Sequence, residues 1–171
     1  KIGNVRVFNS NIPLDLSYLY QLQELDLSEE LHFEKRLPRK TAMLADNRPV
    51  FTQVKAKDIL LSYPFESITT SFIRLLEECA VDPKVVSIKI TLYRLARNSK
   101  VISALCNAAE NGKDVTVMIE LRARFDEANN IEWSKILQKS GVKVIYGPKE
   151  FKAHSKLLLI KRKSTGDKFD Y

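Results

Sequence analysis

The chain has 171 residues, 44% of them hydrophobic and 29% charged, enough for one domain with a sizeable core and part of a second. Its 28 Lys and Arg against 21 Asp and Glu leave a formal charge of +7, which favours a polyanionic partner: nucleic acid, phosphorylated small molecules, inorganic phosphate chains or an anionic membrane surface. No apolar run reaches the about 20 residues that span a bilayer, no signal-peptide pattern opens the chain, and Cys79 and Cys106 lack a CxxC or Cys/His context, so a membrane span, a disulfide framework and a zinc site are not indicated.

Residues 12–31, IPLDLSYLYQLQELDLSEEL, carry leucines at 16, 19, 22 and 25, a helical spacing, and pass into the aperiodic, charged HFEKRLPRKTAMLADNRPVF. Residues 1–46 are therefore expected to be the end of a preceding domain plus a linker, with the domain proper over 47–171. The chain does not open on Met, so it reads as a segment of something longer. His32, in the irregular part, reads as structural.

From Lys55 onward the pattern is regular. PFESITTSFIRLLEECAVDP places Phe72, Leu75, Leu76 and Cys79 on one helical face and stops at Asp82-Pro83. Residues 85–93 alternate Ile88, Ile90 and Leu92 with Ser87, Lys89 and Thr91, a strand. SKVISALCNAAENG is a second helix, with Ser99 as N-cap and Asn111-Gly112 as stop. DVTVMIEL reads as a buried strand, EANNIEWSKILQKSG as a helix ending at Gly141, and VKVIY and KLLLIKR as two more strands. Strands and helices alternating at this length describe βαβ units; the class is α/β.

That order makes a geometric prediction. Arg94 follows the first strand and Arg124 the second, thirty positions apart, and parallel strands end on the same edge of a sheet, where ligands of open α/β folds bind. Only GPKEFKA separates the third strand from His154, too short for a crossover back to the far edge. The fourth strand should therefore run antiparallel, starting at His154 on the edge that holds the arginines. Lys156, two residues on, shares its face with His154. Arginine forks and an ammonium suit phosphate oxygens, and a neutral imidazole can attack phosphorus. Plainer readings stand beside this one: a polar histidine at a strand start, and arginines paired with Asp126, Glu127 or Glu120.

These residues also carry a resemblance. IKITLYRLARNSKVISALCNAAENGKDVTVMIELRARFDEANNI and GVKVIYGPKEFKAHSKLLLIKRK closely resemble bacterial polyphosphate kinase, and DILLSYPFESI is similar to the entry into that family's first C-terminal catalytic domain. The resemblance implies a phospholipase-D-like layered sheet with helices on both faces, mostly parallel with one antiparallel strand. It implies that His154, in H-x-K with Lys156, is the histidine phosphorylated in turnover, and that Arg94 and Arg124 lie near phosphate and Mg²⁺. Arginine only donates, so Mg²⁺ is expected on the phosphate oxygens rather than on these side chains. ATP or ADP, inorganic polyphosphate and the remaining domains of the same enzyme are the implied partners. A homo-oligomer is admissible, and so is a cytoplasmic location, with or without peripheral attachment at the inner membrane.

Departures from the family pattern are Ala128 and Asn129, where many relatives read Glu-Ala, and the lack of a Pro-Gly turn before His154. The Gly-Thr-Gly-Asn-Phe stretch and the second catalytic domain are not in the sequence, so the segment is expected to be inactive alone. Two rivals stay open: a phospholipase-D-like phosphodiesterase half-site and a non-catalytic polyanion-binding module.

Overall fold

The computed structural model describes residues 9–25, 29–96, 99–121, 127–164, 166 and 168–171. The chain divides into two compact units, Lys1–Leu37 and Pro38–Tyr171. In the first, the leucine repeat forms a 3₁₀-helix, Ser17–Glu24, rather than an α-helix. A spacing of three matches three residues per turn, so Leu19 and Leu22 eclipse, and both stay exposed.

The second unit holds helices α1 (Val50–Ala56), α2 (Arg74–Val81), α3 (Lys100–Glu110) and α4 (Glu127–Lys139) and strands β1 (Val85–Leu92), β2 (Asp114–Ile119), β3 (Lys143–Tyr146), β4 (Leu158–Lys163) and β5 (Phe169–Asp170). The strands form one sheet in the order β3-β2-β1-β4-β5. β1 pairs with β2, and β2 with β3, in parallel; β4 is antiparallel to β1, and β5 to β4. A wider π-helical turn, Thr69–Ile73, leads into α2.

Alternation in β1 sets the core. Ile88, Ile90 and Leu92 stand in register with Val115, Val117 and Ile119 of β2, and Ile88 also faces Ile160 of β4. Onto this face α2, α3 and α4 bring Leu76, Cys79, Ala80, Ile102, Leu105, Ala108 and Leu137. Each fully buried leucine here contributes about 1.5–3 kcal/mol relative to exposure. The positive φ of Gly112 lets Lys113 N donate to Ala108 O, which closes α3 before β2. Ser99 occupies the cap position of α3, but its hydroxyl makes no capping bond to the helix.

The α/β class and the mostly parallel sheet flanked by helices are as the sequence led us to expect. A helical layer on the second face is not among the described residues. That face carries Lys89, Thr91, Thr116, Met118, Ile145 and Leu159 along a shallow groove of about 400 Å³. Among the described residues no helix is long and apolar enough to cross a membrane. Both cysteines are free; burial pushes the Cys79 thiol up to about 12, which keeps it protonated and inert.

Asp82, just past α2, ties the helical layer to the sheet. Its Oδ2 accepts from Arg162 Nε of β4 at 2.7 Å, and its Oδ1 accepts from Lys84 N at 2.8 Å. Burial works to raise the Asp82 pKa, but the Arg162 and Lys84 hydrogen bonds and the Arg162 and Lys113 charges outweigh it, and the net shift is downward. A depressed folded-state pKa gives stability that is present above the unfolded value and lost as pH falls through the folded one. The urea midpoints of the wild type and Asp82→Asn should therefore differ fully near neutrality and converge as pH drops below about 4. A gap that persists unchanged into acid would refute the assignment.

Candidate functional site

The path of the chain between β3 and β4 builds the site. After Tyr146 the chain crosses the carboxyl ends of β2 and β1 and enters the sheet on the far side of β1. Gly147 N donates to Ile119 O at 3.2 Å, and Ala153 N to Glu120 Oε2 at 2.8 Å, both at the end of β2. Thr91, near the end of β1, takes over from there. Its backbone N donates to Leu157 O at 3.0 Å, its hydroxyl donates to Ser155 O at 2.6 Å, and the same oxygen accepts from Leu157 N at 2.8 Å. The Thr91 side chain thus stands in for ladder bonds, and β4 begins at Leu158 rather than at His154. Residues 154–157 are an extended approach to the strand.

This approach delivers His154 to the side chain that follows β1. The imidazole meets the half-buried Tyr93 ring edge-to-face, 4.7 Å between centroids and 76° between planes. Lys156 Nζ lies 4.6 Å from the same centroid, and the Arg94 guanidinium carbon 5.6 Å. Lys156 also folds back to donate to His154 O at 2.6 Å, which fixes the backbone beneath the imidazole. His154, Lys156 and Arg94 are all solvent-exposed. One aromatic ring therefore gathers two cations and an imidazole at the carboxyl rim of the sheet, an arrangement suited to a multiply charged anion.

A family model for polyphosphate kinase C-terminal domain 1 matches residues 49–171. The chain belongs to that family. A polyphosphate kinase from Rhodopirellula baltica is 43% identical over 157 residues, which cover 92% of this chain and 18% of the relative. One from Campylobacter jejuni is 40% identical over all 171 residues, 24% of its own length. The crystal structure of polyphosphate kinase from Porphyromonas gingivalis superimposes with a TM-score of 0.69 at 34% identity, covering 89% of this chain and 25% of that one. The chain thus spans a quarter or less of these polyphosphate kinases.

In this polyphosphate kinase domain the structure brings Arg94, His154 and Lys156 to one rim. Arg124, expected beside them, falls in 122–126 and lies outside the described residues. Sequence reasoning assigned no role to Tyr93, although it stands next to Arg94 in the TLYR motif, or to Thr91, which reads there only as a polar position of the strand. It also left Asn129 unexplained as a departure from the family pattern. At the start of α4, Asn129 Nδ2 donates to Leu95 O at 2.9 Å, and buried Asn130 Nδ2 donates to Tyr93 O at 2.8 Å and Glu120 O at 2.9 Å. The pair holds the backbone on either side of Arg94.

No three His, Cys, Asp or Glu side chains cluster as a metal site among the described residues. A groove of about 660 Å³ lies elsewhere, lined by Phe51, Leu75, Leu158, Ile160, Phe169 and Tyr171 among others and by none of the rim residues. Thr91→Val should remove both side-chain bonds to the approach segment. We expect the Leu157 amide to exchange about tenfold faster, with Ile88 in the same sheet unaffected. Equal protection of Leu157 in the two proteins would show that Thr91 does not hold the segment.

Proposed function

We propose that this chain is the first phosphate-handling domain of an enzyme that reversibly transfers the terminal phosphate of ATP to inorganic polyphosphate, with His154 carrying the phosphoryl group in transit. The observation that supports this reading is the convergence of Arg94, Lys156 and His154 on Tyr93. Phosphoryl transfer is largely positioning plus charge stabilisation, and this rim supplies both.

In the proposed reaction an imidazole nitrogen of His154 attacks the γ-phosphorus. An N–P bond forms while the P–O bond to the β-phosphate breaks, and ADP leaves with that electron pair. A terminal oxygen of polyphosphate then attacks the same phosphorus, the N–P bond breaks, and the imidazole returns to its starting state. Arg94 and Lys156, with Arg124 as a further candidate, would hold the phosphate oxygens as charge shifts between them. Arg and Lys side chains donate only, so Mg²⁺ fits this rim as a passenger on the phosphates that offsets their charge, and not as an ion held by these residues. The other domains of the enzyme would supply the remaining nucleotide contacts.

In the full-length enzyme incubated with γ-labelled ATP, His154→Ala should lose the acid-labile, base-stable phosphoryl label that the wild type acquires. Label retained by the variant would overturn the assignment of His154. A second comparison separates a built site from diffuse attraction, because Arg94→Gln and Lys161→Gln each remove one positive charge. Polyphosphate affinity should fall about tenfold or more for Arg94→Gln, while the outlying Lys161→Gln should cost little. Equal losses would favour a plain polyanion-binding surface.

A further inference from the structure

The phosphoryl-transfer reading leaves the carboxylate of Glu120 without a role. Glu120 is only 2% exposed, directly after β2. A carboxylate is costly to bury unless hydrogen bonds satisfy it, so its partners indicate what it is for. Its backbone is fixed from two sides: Glu120 N donates to Leu92 O at 3.1 Å, and Glu120 O accepts from Asn130. From this anchored position Oε2 accepts the N–H of Ala153, the residue before His154, at 2.8 Å.

The other end of the crossover closes on the same oxygen. A Cβ placed on Gly147 would lie 3.0 Å from Glu120 Oε2 and 3.4 Å from Ala153 Cβ. Gly147 and Ala153 are the first and last residues of the seven that separate β3 from His154. Both ends of that segment therefore wrap one carboxylate, and glycine at 147 is what allows the close approach. Thr91 fixes the chain after His154, and Glu120 fixes it before.

We propose that Glu120 is a positioning residue: its buried carboxylate clamps both ends of the β3–β4 crossover and thereby sets where His154 presents its imidazole. The proposal rests on the reading of His154 as phosphoryl carrier. In this role Glu120 works on the backbone that carries His154 rather than on the transferred group. It acts through the Ala153 amide and the packing of Gly147.

The test uses the full-length enzyme with Glu120→Ala, Glu120→Gln, Gly147→Ala and the double variant Glu120→Ala/Gly147→Ala. Single-turnover labelling from γ-labelled ATP gives the rate of phosphohistidine formation, steady state gives the KM for ATP, and amide exchange reads peptides over 147–157. Glu120→Ala should slow labelling about 10- to 100-fold with a much smaller change in KM. It should also raise exchange across the crossover and leave β1 peptides unchanged. Glu120→Gln keeps an acceptor oxygen and should recover most of the rate. Gly147→Ala crowds the carboxylate and should lower the same rate more mildly, and because it keeps Glu120 it carries the test even where Glu120→Ala does not fold. With the carboxylate gone the tightest contact of the added methyl is relieved and Ala153 Cβ remains at 3.4 Å, so the double variant should be little slower than Glu120→Ala.

Wild-type labelling rates in Glu120→Ala or in Gly147→Ala, or additive losses in the double variant, would overturn the clamp while His154 stands. Absence of phosphohistidine in the wild type would overturn the reading beneath it.

Discussion

The structure depends on how the chain from β3 crosses the ends of its neighbours. A chain leaving the edge strand β3 could return beside it. Instead it passes over β2 and β1 and joins the sheet beyond them as β4. Backbone crossing strand ends has polar groups that need partners. Ile119 O and the Glu120 carboxylate serve the first part of the crossing, and Thr91 serves the last. Where those partners sit determines which residue arrives beside Tyr93, and that residue is His154.

Tyr93 then does two things at once. As the residue that follows β1, its carbonyl is held by Asn130 from α4, so its backbone is fixed relative to both the sheet and a helix. Its ring offers a π-face and an edge to groups that would otherwise repel or drift. Cations beside an exposed aromatic gain only about 0.5–1 kcal/mol each. These contacts gather the rim around one ring, each of them weak by itself. Asn129, a departure from the usual family pattern, fits the same scheme by holding the Leu95 carbonyl.

Much of this was legible beforehand, for identifiable reasons. The alternation of Ile88, Ile90 and Leu92 has a period of two, and the spacing of Leu75, Leu76 and Cys79 has a helical one, so strands and helices could be placed. A short link after β3 implied an antiparallel β4, because a parallel return needs a longer crossover. The start of β4 was misplaced by four residues, since a side chain replaces ladder bonds at Thr91 and no periodicity encodes that exchange. The leucines at 16 to 25 fit a period of three as well as one of 3.6, and the structure takes the tighter helix over Ser17–Glu24. Tyr93 escaped notice, and Glu120 was read only as an ion-pair partner for the arginines, because the roles argued above are tertiary: a tyrosine after a strand and a glutamate at a strand end acquire them only when another segment crosses.

The most direct test of this account is a crystal structure of the full-length enzyme with a non-hydrolysable ATP analogue. If the rim around Tyr93 receives the transferred group, the γ-phosphorus will lie about 3–3.5 Å from an imidazole nitrogen of His154. Its oxygens will lie within hydrogen-bond reach of Arg94, about 3 Å. A γ-phosphate bound away from Tyr93, with the His154 ring turned from it, would contradict the account.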